Sequence, residues 1–132
     1  MQSLVFGRGR HEISLAGSQS VQVYEKAAAT CTCDDPQAVI TVIAIGDAKI
    51  TLTGVCDKLY ILARGFPKVD ARGLKAESVH IHEVSVCAYV IVRHQNVTID
   101  RIRGCGHVTV FGHATAASIT HDGRLFLEDD SE

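Results

Sequence analysis

Two imidazoles stand two residues apart in His80-Ile81-His82. In an extended strand this spacing puts both on one face with attachment points about 7 Å apart, compatible with gripping a single metal ion. Strict alternation then sends Glu83 to the opposite face. A further ligand would have to come from a neighbouring strand or from another subunit, as around a threefold axis where several such pairs converge. The simpler assignment is that His80 and His82 are solvent-facing residues on the polar side of a strand. On that assignment the chain carries no catalytic residue, no cofactor-binding residue and no metal ligand, and needs no cofactor.

The other groups capable of chemistry are each incomplete. Cys31-Thr32-Cys33 has the look of half a zinc site, but no second Cys/His pair stands at finger spacing and zinc needs four ligands. Cys105 sits between Gly104 and Gly106, two residues before His107, without an acid to orient the histidine or an oxyanion site. It reads as a corner cysteine or a small buried apolar residue. Gly17-Ser18-Gln19-Ser20 is not a nucleophile elbow, and Gly7-Arg8-Gly9-Arg10 lacks the following helix and the Lys-Ser/Thr pair of a phosphate loop. A cupin-type enzyme would also use His-x-His. It expects a Glu a few residues beyond the pair and a downstream His in a Gly- and Pro-marked motif, whereas Glu83 follows at once and no such motif occurs.

Five cysteines, at 31, 33, 56, 87 and 105, are an odd number without the dense pairing of a stapled secreted domain, which points to reduced thiols. The formal charge of -2 and pI near 6.4 leave no excess of Lys and Arg for phosphate contacts, so nucleic acid is not expected as a partner. Arg8, Arg10 and His11 read as a solvated lead-in. No run approaches the length of apolar residues that a membrane helix requires, and MQSLVFGRGRHEISLAG has too short an apolar core for a secretory signal. The expectation is a chain without membrane association or export signal, made and kept in the cytoplasm or packaged into a virion.

Positioning any of these groups falls to strands. Segments rich in Val, Ile and Thr start at Lys49, Lys58, Lys68, Ser78, Ala88, Asn96, His107, Ala117 and Arg124, with spacings of 9, 10, 10, 10, 8, 11, 10 and 7 residues. One parity is apolar, as in Ile50/Leu52, Leu59/Ile61, Val79/Ile81, Val97/Ile99, Val108/Val110 and Leu125/Leu127, and should face one core. The other carries Thr51/Thr53, Asp70/Arg72, His80/His82 and Thr98/Asp100. AYVIV at 88–92 is apolar on both parities, as if covered on both sides. The best helical candidate is EKAAAT at 25–30, a turn or two long.

These features predict a single all-β domain, with lead-in strands and loops over 1–36, regular repeats over 37–127 and a solvated acidic tail over 128–132. A beat near ten residues predicts a short β-solenoid of about two strands per coil. The alternative is an antiparallel β-sandwich or jelly roll, but only Asp122-Gly123 offers a clean two-residue hairpin signal. Acyltransferase-type hexapeptide coils do not fit a beat of ten.

Over residues 65–112, Val69-Asp70-Ala71 with Leu74-Lys75-Ala76, followed by Arg103-Gly104-Cys105-Gly106-His107-Val108-Thr109-Val110, resembles the head GIN-type β-solenoid domains of putative autotransporter adhesins. The resemblance implies stacked short coils closed by a Gly-x-Gly segment and a strand, in a family that is usually exported, and it brings no catalytic residues. The His-x-His pair is also similar to that in some phage tail-spike tips, where it holds a metal on a trimeric β-helix.

The expected role is that of a non-enzymatic structural or assembly protein. It would be a homo-oligomer contacting other protein subunits, as in a virion component such as a capsid decoration (cement) protein or a tail-spike element. The alternatives are an exported adhesin-like ligand-binding module and a small metal-dependent cupin-type enzyme.

Overall fold

In a computed structural model, which describes residues 2–129, the chain forms ten strands and, among those residues, no helix. They are β1 (Gln2–Phe6), β2 (Arg10–Leu15), β3 (Gln19–Glu25), β4 (Ala28–Asp34), β5 (Val39–Gly46), β6 (Lys49–Gly65), β7 (Lys68–Val86), β8 (Tyr89–Ile102), β9 (His107–Ile119) and β10 (Arg124–Glu128). Of the acidic tail, positions 130–132 lie outside the described residues, while Glu128 and Asp129 are exposed.

The chain winds as a β-solenoid of about 7 turns. One parallel stack runs β1, β3, β5 and then the second halves of β6, β7, β8 and β9. The other runs β2, β4, the first halves of β6 to β9, and β10. Each coil therefore contributes one strand to each stack, and the ten-residue beat is half a coil. Parallel pairing throughout excludes the sandwich alternative, and Asp122-Gly123 turns a coil corner rather than a hairpin, with Gly123 N–H bonded to Thr120 O.

Parallel register lines up the apolar parity into columns. One runs Leu4, Val21, Val42, Ile61, Ile81, Ile99, Ala116, and its five middle members are fully buried. Each such Val or Ile contributes about 1.5–3 kcal/mol through burial. Residues 25–30, expected as a helical turn, instead make a corner and the start of β4. Ala27 and Ala29 point into the core, and tertiary burial outweighs the weak helix preference of a six-residue segment. In AYVIV, Val90 and Val92 face the core while Ile91, on the outside, is covered nearly as well at 7% exposure.

The corners stack as the strands do. Glu25, Gly46, Gly65 and Val86 are successive partners, all in the left-handed region with φ of 59°, 87°, 97° and 64°, and Gly104 (φ 65°) follows against Val86. A Cβ on Gly65 would stand 3.0 Å from the Gly46 nitrogen. The glycines thus answer both to φ and to the close approach of the preceding coil.

Candidate functional site

Coils before and after Ile61 differ by one residue. Ile61 pairs with Ile81, but Leu62 pairs with Glu83, so His82 is an extra residue bulged out of the ladder. The bulge overturns the expectation that Glu83 lies opposite the histidines. With Ile81 and Val84 both buried, His80, His82 and Glu83 all belong to the outer face. The next coil keeps the longer form, pairing Ile81 with Ile99 and Val84 with Ile102, so Asp100 and Arg101 also sit side by side on that face.

The histidines meet a carboxylate across the coil. His80 Nε2 lies 2.9 Å from Asp100 Oδ1 and His82 Nδ1 lies 3.2 Å from Asp100 Oδ2. Only the second contact is aligned as a hydrogen bond, and the buried His80 Nε2 has no aligned partner. The two imidazoles, His80 first, hold the Asp100 carboxyl below the usual carboxylate range. The His80 ring also leans on Tyr60, centroids 5.8 Å apart. Among the described residues, no three His, Cys, Asp or Glu side chains are arranged to hold a metal ion. In this arrangement Asp100 acts as a clasp, reaching from one coil to the two histidines of the coil before it.

Beside the clasp, the Glu83 side chain is only 3% exposed under three half-exposed arginines. Arg64 Nε donates to Oε2 at 2.5 Å and Ser85 Oγ donates to the same oxygen at 3.1 Å. Arg103 and Arg101 approach Oε1 at 3.4 and 3.6 Å. Burial pushes the Glu83 carboxyl up, but the bonds from Arg64 and Ser85 and the charges of Arg64 and Arg103 outweigh it, so its pKa lies below the ordinary value. Three cations around one anion leave a local positive excess on an otherwise mildly acidic protein.

The cysteines separate into two groups. Cys31, Cys33 and Cys56 are buried, and burial pushes the thiols of Cys31 and Cys56 up to about 11 and about 12, so the Cys31-Thr32-Cys33 pair points into the core as small apolar residues. Cys105 is exposed at a corner as expected, but its neighbour is Cys87 on the preceding coil. His107 turns elsewhere: its ring stacks between Tyr89 and Phe126, centroids 4.5 and 4.6 Å away, with Nε2 3.3 Å from Thr109 Oγ1. Burial, followed by the charge of Arg124, pushes the His107 pKa down.

At the N-terminal end, Arg8 and Arg10 are exposed as expected of a lead-in, though Arg10 already belongs to β2, and His11 Nε2 lies 2.6 Å from Arg8 O. The partners Asp100, Arg64, Arg101, Arg103 and Cys87 escape a reading of local motifs. Their signal is the coil period, which separates both His82 from Asp100 and Cys87 from Cys105 by 18 residues. No known protein family, curated protein or solved structure matches the chain.

Proposed function

We propose that this protein is a non-enzymatic structural element that assembles with copies of itself through the ends of the solenoid. The observation that carries the reading is the last described coil. There the core columns run out uncovered: Leu127, which continues the inward column of Val92 and Val110, is 51% exposed, and Ile119 is 46% exposed. Uncovered columns and the unpaired backbone of an edge strand favour addition of further strands.

A second copy is the occupant that fits. The step from the first coil to the second is 17 residues, Gln2 to Gln19, and so is the step into the last, His107 to Arg124, so the two end coils match in length. A parallel ladder can then continue from one chain into the next in head-to-tail fashion, a contact that repeats along an axis. Cys105 lies beside Cys87 while the His107 ring is stacked between Tyr89 and Phe126, which supports a non-catalytic reading of that pair. A rod of stacked coils with polar outer faces suits a virion part such as a capsid decoration protein or a tail-spike element.

Light scattering on purified protein at micromolar concentration tests this reading. A mass of two or more times 14.2 kDa is expected, falling to the single-chain value in Leu127→Glu, with strand content by circular dichroism unchanged. A strictly monomeric wild-type protein overturns it.

A further inference from the structure

The corner ladder brings together two exposed thiols that local sequence motifs do not connect. Val86 and Gly104 share nearly the same left-handed φ, 64° and 65°, and a Cβ on Gly104 would stand 3.0 Å from both the nitrogen and the oxygen of Val86. The residues that follow them, Cys87 and Cys105, therefore occupy the same place on successive coils. Backbone bonds fix each to the coil before it: Cys87 N–H donates to Gly65 O at 2.8 Å and Cys105 N–H donates to Val86 O at 2.5 Å. Adjacent parallel strands lie about 4.8 Å apart, inside the range of roughly 4.4–6.8 Å that a disulfide spans between Cα atoms.

We propose that Cys87 and Cys105 form a redox-active dithiol that closes into a disulfide between neighbouring coils, pinning the corner at which β7 passes into β8 and β8 into β9. The oxidant is a small-molecule disulfide. One cysteine thiolate of the pair attacks a sulfur of that disulfide, whose S–S bond breaks and releases one thiol after protonation. The other cysteine, as thiolate, attacks the protein-side sulfur of the mixed disulfide and expels the second thiol. The protein gives up two electrons and two protons, and the small disulfide is reduced to two thiols.

Two features direct oxidation to this pair. Cys87 and Cys105 are the exposed cysteines, whereas Cys31, Cys33 and Cys56 are buried among core side chains. Resolution is also intramolecular, because the second thiol is held one coil away and needs no collision with another chain. The hydrogen bond and charge of Cys87 push the Cys105 thiol up. Thiolate at Cys105 is correspondingly scarce at neutral pH, and exchange should accelerate as pH rises.

Trypsin isolates the two residues on separate peptides, 76–93 and 104–124, so mass spectrometry reads the link directly. Native full-length protein incubated with oxidised glutathione is expected to yield these peptides joined, two hydrogens lighter than their sum, from chains that run as unlinked species on a non-reducing gel. Cys31, Cys33 and Cys56 should stay unmodified. In Cys105→Ser, with its circular dichroism unchanged, Cys87 should instead retain one glutathione, since nothing resolves the mixed disulfide. Glutathione persisting separately on Cys87 and Cys105 of the wild-type protein overturns the proposal, as does a link that joins two chains.

Discussion

The coil through Tyr60, Ile61, Leu62 and Ala63 and the coil through His80, Ile81, His82, Glu83 and Val84 are stacked neighbours with matching inward positions and different surfaces. In the first, strict alternation separates outward side chains by an inward one. In the second, the bulge at His82 places two outward side chains in succession while Ile81 and Val84 stay under Ile61 and Ala63. One added residue therefore changes the exterior, gathering His80, His82, Glu83, Asp100 and the arginines, without moving the core. A solenoid tolerates this because the extra backbone is absorbed locally and each coil answers only to its neighbours.

If the two coils share one core, truncating either isoleucine should cost the same. Ile61→Ala and Ile81→Ala are both expected to lower stability by about 2–5 kcal/mol, measured by urea unfolding, and agreement between them would confirm that the bulge leaves the column intact. A much smaller loss for Ile81→Ala would mean that the bulged coil is loosely packed.

The bulge should matter next at Glu83. Glu83→Gln is expected to lower stability by about 1–2 kcal/mol at neutral pH, since the carboxylate is buried but its arginine partners are half in water. Its folded pKa is depressed, so its stabilisation is complete above the unfolded value near 4.5 and is lost as pH falls through the lower folded value. The gap between wild type and Glu83→Gln should accordingly narrow below pH 4.5, and a gap that stays constant into acid would show that charge is not the cause.

The smallest expected change lies where the longer coil turns. Val86 holds φ 64° where Gly46 and Gly65 stand in the coils before it, and it is 49% exposed. Val86→Gly relieves a left-handed β-branched residue but frees the unfolded chain, so the net gain should be about 1 kcal/mol or less. A rise in thermal midpoint of a few degrees would show it, whereas a fall would mean that the valine side chain earns its place by packing.

Much of the architecture was legible because parallel stacking repeats what each strand already displays. Val79/Ile81 and Val97/Ile99 state their inward parity locally, and a beat of ten with few hairpin signals distinguishes coils from a sandwich. The face of Glu83 was not legible: alternation is a local rule, and the bulge at His82 is set by pairing with the preceding coil. The alanines of residues 25–30 misled for the same reason, since the inward column of Ala29 becomes visible only when it is placed against Ile50. His82 with Asp100 and Cys87 with Cys105 join residues 18 apart, a separation that carries meaning only once the coil length is known.

The repeating left-handed corner has a consequence for length. Because residues 66–86 run from just after Gly65 to its column partner Val86, a second copy of that segment inserted after Val86 would find the same corner beneath it and present the same one above. The rod should grow by about 4.8 Å with both ends unchanged. Its reach is thus a quantity counted in whole coils, adjustable by duplication without redesigning any interface.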